Sequence, residues 1–182
     1  MKKIYLIISI TIFSIALTIP SKVYTTISSV NGDIITISEP LTLNGMSAIV
    51  VRDTPNGEYA LLFAKQLSPN KLKIIDKDPV GGTNLAKINP IPKVGDRVIG
   101  GLNYDKALIL APKDRYNQIV SQLGVKDINP KIYEAYIANK GSSNYKDFAK
   151  LTAIGLVIVT KGNTIEIIDA ISGETILKES LK

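Results

Sequence analysis

Asp96 and Asp105 flank a short stretch, 97–104, whose ends a hairpin would bring together. Paired carboxylates placed that way could serve glycoside hydrolysis, one as acid and one as base or nucleophile. They could also hold a hard cation. The structural role is the stronger expectation. Asp96 follows Gly95 in a turn and Asp105 ends an Asn-Tyr-Asp corner, places where Asp bonds its own backbone. Other chemistry falls to composition. The chain has no His and no Cys, which removes the commonest general base, the thiolate nucleophile, disulfides and the usual zinc and haem ligands. Lys140-Gly141-Ser142 lacks the upstream glycine of a phosphate loop, and neither Gly81-Gly82 nor Gly100-Gly101 matches a dinucleotide fingerprint. Both pairs read as turn and bulge residues. Tyr116, Tyr133, Tyr136 and Tyr145 could stack on sugars, but they recur at helical spacing, which points to core packing with the hydroxyl at the surface. No enzyme, metal or cofactor is expected. The exposed recognition element is the C-terminus, Leu177-Lys178-Glu179-Ser180-Leu181-Lys182. A terminal lysine presents an ammonium and a carboxylate together, and a pocket with an anionic end, an aromatic trough and a cationic end would take both. Lys182 is therefore the candidate partner-binding residue at this end.

These groups need a scaffold, and 182 residues at 45% hydrophobic and 21% charged can build one. The net charge of +6 includes Lys2 and Lys3 of a leader, and no run of Lys and Arg marks a nucleic-acid face. Met1-Lys2-Lys3 is a basic n-region, and the uncharged stretch from Ile4 to Leu17 is too short to span a bilayer permanently. This is the pattern of a secretory signal peptide, expected over 1–21, so the protein is expected to be exported.

From Lys22 to Asn103 the chain reads as strands at close spacing. Val23 to Val30 and Ile34 to Ser38 flank Asn31-Gly32, a hairpin signal that predicts a type I′ turn. Ala48-Ile49-Val50-Val51 reads as a buried strand, Tyr59 to Ala64 as the next, and Lys71 to Asp76 as a half-exposed one. Asp78 to Lys93 is a loop in which Leu85 to Ile88 could add an edge strand, and Val94 to Leu102 closes the unit. Closely spaced strands with turn chemistry between them predict a small antiparallel barrel or sandwich.

After the corner, Ala107 to Ala111 is continuously apolar, as a strand covered on both faces should be. Tyr116, Ile119, Val120 and Leu123 form one helix face, with Asp114 as N-cap and Gly124 as terminator. Asn129-Pro130 opens a second helix that ends at Gly141, and a third runs from about Ser142 up to Gly155. Leu156 to Thr160, Thr164 to Asp169 and Glu174 to Lys178 then form a meander. Helices grouped together, then strands grouped together, indicate α+β rather than alternating βαβ units. The expected fold is thus α+β, with a small N-terminal antiparallel β-barrel or sandwich (22–103) packed on a C-terminal β-helices-β-β-β module (104–182). The short link at Asn103 to Asp105 leaves the halves little freedom.

Val94-Gly95-Asp96-Arg97-Val98-Ile99-Gly100-Gly101, then Ala107 to Pro112 with Tyr116 and Ile119, resembles the N-terminal domain of the bacterial plasminogen-binding protein PgbA family. Gly155 to Val159 with the Asn163 to Ile176 meander is similar to it as well, as is Ile34 to Ser38 through Gly45 to Val50. The resemblance implies an exported or surface protein of a Gram-negative bacterium that captures host plasminogen by lysine-type recognition. Lys182 would then be the ligand, with Lys178 as a second plasminogen-binding residue. The alternative expectation is a non-enzymatic structural or periplasmic envelope module with protein partners or anionic polymers as contacts.

Overall fold

The computed structural model describes residues 18–79 and 91–180. Most of the expected leader, the expected edge strand at 85–88 and Lys182 lie outside the described residues.

The first strands are β1 (Val23–Asn31), β2 (Ile34–Ile37), β3 (Ser47–Thr54), β4 (Gly57–Ser68), β5 (Lys71–Asp76) and β6 (Arg97–Gly100). They close into a barrel in the order β1-β2-β5-β4-β3-β6, every neighbouring pair antiparallel. The choice between barrel and sandwich is settled by closure: β6 bonds both β3 and β1, so no edge remains. Alternation fills the interior. Ile27, Ile35, Ile37, Val50, Leu62, Leu72 and Val98 are almost fully buried in one apolar cluster. The β1–β2 turn differs from the type I′ expectation. Asn31 pairs with Ile34, so the turn residues are Gly32 and Asp33, and of these only Gly32 has a positive φ, 59°.

The second half contains β7 (Lys106–Leu110), α1 (Lys113–Leu123), β8 (Lys126–Ile128), α2 (Pro130–Lys140), α3 (Tyr145–Thr152), β9 (Leu156–Lys161), β10 (Thr164–Asp169) and β11 (Thr175–Ser180). The sheet order is β11-β10-β9-β7-β8. β9, β10 and β11 are the antiparallel meander. β7 is buried on both faces as its apolar run predicts: Ala107 and Ile109 join one cluster with Ile119 of α1, while Leu108 joins another with Tyr133 of α2 and Phe148 of α3. Three details depart from the sequence reading. β8 was not anticipated, and it makes β7-α1-β8 a parallel βαβ unit inside a chain that is broadly α+β. Three residues carry too little pattern to stand out. The N-cap of α1 is Pro112 rather than Asp114, with no side-chain cap bond, whereas Asn129 does cap α2 by accepting from Lys131 N at 3.0 Å. α3 ends at Ala153, in the left-handed region at φ 55°, rather than running on to Gly155. Gly155 has a different duty. A Cβ there would lie 2.5 Å from the carbonyl carbon of Asn103, so the corner between β6 and β7 packs directly on it.

β3 is apolar on both sides because the second half lies against the barrel. Ile49 and Val51 share a cluster with Phe63, Phe148 and Ala149, while Ala48 and Val50 face the interior. Lys146 and Lys150 of α3 both reach Asp76 at the end of β5, at 2.7 and 2.6 Å. The deepest polar link is Asp169, fully buried at the end of β10. Its Oδ2 accepts from the Ser47 amide of β3 at 2.7 Å and from the Tyr104 hydroxyl at 2.6 Å. Its Oδ1 accepts from the Ile171 and Ser172 amides at 2.9 and 2.8 Å. Burial, then the Asp169 charge and its hydrogen bond, push the Tyr104 hydroxyl well above the ordinary tyrosine range, so it stays a donor at any physiological pH.

Replacing Asp169 by Ala would strand several buried donors at once, so a loss of about 3–5 kcal/mol is expected, against about 1–2 kcal/mol for Tyr104→Phe, which removes one donor and leaves the amides in place. Urea denaturation of both variants checks the ranking, and equal costs would contradict it.

Candidate functional site

The edge strand β11 carries Lys178, one of the two residues singled out from the sequence. Register explains its setting. Glu166 in the middle of β10 lies opposite Lys178 on one side and Val159 on the other, and Lys161 is the diagonal neighbour two residues beyond Val159. Lys178 Nζ lies 3.0 Å from Glu166 Oε1, and Lys161 Nζ donates to Oε2 at 2.7 Å. The two ammonium groups thus divide the carboxylate between them. The lysine side chains stay 62% and 66% exposed while that of Glu166 is only 10% exposed beneath them. The hydrogen bonds from Lys161 and Lys178 hold the Glu166 carboxyl below its ordinary range, against a smaller opposing effect of burial. The sequence reading missed Lys161 and Glu166. The signal available was the hairpin register across Gly162 and Asn163, which puts Glu166 between two lysines once the turn is placed.

Asp96 and Asp105 are not brought together. They lie beyond opposite ends of β6, a strand of about 13 Å, and β6 and β7 belong to different sheets rather than to one hairpin. Asp96 is buried and committed to Arg52, which donates from Nε to Oδ1 at 2.8 Å and from Nη2 to Oδ2 at 2.7 Å. The Lys93 amide donates to Oδ2 as well, at 2.7 Å. Burial alone would raise the Asp96 carboxyl, but the guanidinium and this amide hold it below the usual carboxylate range. Asp76 is held low in the same way, the effect of burial being outweighed by Lys146 and Lys150. Asp105 lines a different cavity with Ile19 and Tyr104.

The tyrosines pack as their spacing implies. Tyr133 stacks with Tyr136 at 6.3 Å and meets Phe148 edge-on at 4.9 Å, and its hydroxyl donates to Ser143 O at 2.7 Å. Tyr116 donates to Asp127, and burial followed by that bond pushes its hydroxyl up to about 12. Among the described residues no group of three acidic side chains is placed to hold a metal ion, and no helix is long and apolar enough to cross a membrane.

A closed antiparallel barrel locked onto a mixed sheet, with a paired-lysine edge, defines a mostly β protein of the broad α+β class. The chain belongs to the family described as plasminogen-binding protein pgbA N-terminal, whose model matches residues 22–182. No curated protein and no solved structure matches it.

The depressed carboxyls make a pH prediction. A group whose folded value is lowered contributes stability above its unfolded value and loses it as pH falls toward the folded one. Asp76 and Asp96 should therefore leave the melting temperature flat above about pH 5 and let it fall below about pH 4. Thermal melts across pH 3–7 check this, and Asp96→Asn should lower the plateau and shallow the acid slope.

Proposed function

We propose that the protein is exported and binds host plasminogen through lysine recognition, with Lys182 and Lys178 as the recognised side chains. The observation that carries this is the family match across nearly the whole of the folded chain, since the family's description names plasminogen binding. The exposure of Lys178 on an edge strand supports it. Its ammonium projects over Glu166 rather than into the protein, so carboxylates of a partner can compete for it. Lys182 follows β11 by two residues, and where it ends the mature chain it offers an ammonium and a carboxylate on one stem. Immobilised plasminogen should retain the protein, a free lysine analogue should elute it, and deletion of Lys182 together with Lys178→Ala should weaken retention at least about tenfold, a loss of about 1.4 kcal/mol. Retention that ignores both the analogue and the variant removes the lysine mechanism, and no retention at all removes the function. The alternative reading, a structural envelope module, draws on the closed barrel and its rigid attachment to the sheet. A pool shielded from protease added to whole cells would favour it over surface capture.

We infer further that the leader is cut upstream of Ile19 rather than after residue 21, because residues before that expected boundary pack on the folded chain. Ile19 packs against the main apolar cluster. Ile19, Pro20, Ser21 and Lys22 line a cavity of about 270 Å³ with Tyr104, Leu123 and Val125. A cut after residue 21 would strip one wall of that cavity. Ser14-Ile15-Ala16 supplies small residues at the positions a signal peptidase reads. Intact-mass measurement of the exported protein should find a mature start upstream of Ile19. A start at Lys22 contradicts this cut, and an intact Met1 shows that the leader is retained rather than cleaved.

A further inference from the structure

The barrel end that holds Arg52 and Asp96 is also a cavity, and its geometry follows from the strand alternation. Val50 and Val98 point into the barrel, so Arg52, two residues further along β3, points the same way at its mouth, where it meets Asp96 just before β6. The register shift between Val50 and Val51 places an extra residue, Leu61, in β4. Leu62 pairs with Val50 and Ala60 with Val51, so Tyr59 falls directly opposite Arg52. Tyr59 and Leu61 therefore share the inner face of a hairpin that runs on past the barrel. The back of that hairpin is braced, since Arg97 pairs with Asp53 at 2.9 Å and also with Glu58. The result is a cavity of about 310 Å³ lined by Arg52, Thr54, Asn56, Tyr59 and Leu61. That volume is at the small end of the range for small-molecule sites, and barrel mouths are a common place for them.

The lining states what would fit. Leu61 makes an apolar floor at 5% exposure, and the Tyr59 ring stands 39% exposed beside it. Arg52 is held by Asp96 and by its bond to Ile91 O at 2.8 Å, so its guanidinium is pre-oriented and its charge is already balanced. Among the described residues nothing hydrogen-bonds the Asn56 side-chain amide, and the Thr54 hydroxyl, which donates to Gly57 O at 2.8 Å, keeps its acceptor capacity. A fixed anion or cation gains little from a neutralised site. A neutral ligand with one apolar face and a polar edge gains from the ring, the floor and the planar donors together. We propose that this barrel mouth binds a neutral saccharide, its apolar ring face on Tyr59 and its hydroxyls against Asn56, Thr54 and Arg52. The site is separate from the lysine edge and does not depend on plasminogen binding.

The test is a titration of the full mature chain followed by amide and side-chain NMR shifts, using maltose, N-acetylglucosamine and its β-1,4-linked dimer as probes and inorganic phosphate as the anionic arm. Saturable shifts confined to Tyr59, Asn56, Thr54 and the Arg52 Nε signal are expected with at least one of the sugars. Tyr59→Ala should weaken binding at least about tenfold, a loss of about 1.4 kcal/mol, while Tyr59→Phe retains it, because the ring face rather than the hydroxyl carries the contact. Tyr59 is half-exposed, so unchanged shifts in the rest of the spectrum establish that the variant is folded. No saturable shift with any sugar, shifts that survive Tyr59→Ala, or a response to phosphate alone would each overturn the proposal.

Discussion

A single buried carboxylate organises this molecule. Asp169 has no exposure to solvent and, among the described residues, no ion-pair partner, so its oxygens are satisfied by the hydrogen-bond donors that converge on them. Those donors come from three places: the start of β3, the corner before β7, and the turn after β10. Each must be in position for the others to be satisfied. The barrel, the corner and the meander are therefore coupled through one side chain: removing the carboxylate strands its buried donors, while removing one donor leaves the carboxylate with fewer bonds.

The other contacts between the halves follow from this. With Tyr104 drawn toward Asp169, the corner at Leu102 and Asn103 is pressed on Gly155, where a side chain has no room. The Gly155 amide in turn donates to Lys106 O at 3.1 Å, which sets the start of β9 beside β7. On the far side, Lys146 and Lys150 hold α3 to Asp76 at the end of β5. Apolar contact spreads between these polar points, as Ile49, Val51 and Phe63 of the barrel meet Phe148 and Ala149. Polar groups fix the orientation while the apolar area supplies the larger share of the stabilisation.

The same alternation that builds the core leaves two differently charged surfaces. At the barrel mouth, inward positions carry the balanced Arg52–Asp96 pair and outward positions carry Arg97 with Asp53 and Glu58. At the β11 side of the second sheet, Lys161 and Lys178 share one carboxylate, so a net positive charge faces solvent. A charge-balanced concavity and a cationic edge suit different ligands, and the pairing within each sets which one.

Local chemistry made much of this legible in the sequence. The β-branched runs, the turn residues and the Asn129-Pro130 cap each act within a few residues, so strands β1 to β5, helix α2 and the final meander could be placed from the chain alone. The buried character of β7 was legible because a strand covered on both faces must be apolar throughout. Lys178 could be named as an exposed cation. What pairs with what could not. β8 has too few residues to show a period, and it gains its identity only by lying parallel to β7. Asp96 read as a turn residue, yet Arg52, far away in sequence, makes it part of the barrel mouth. Asp169 read as the last residue of a strand, and only tertiary packing made it the point where the two halves meet. Short-range sterics and hydrogen bonds are written into neighbouring residues, whereas the partners of a buried charge are chosen by the fold that encloses it.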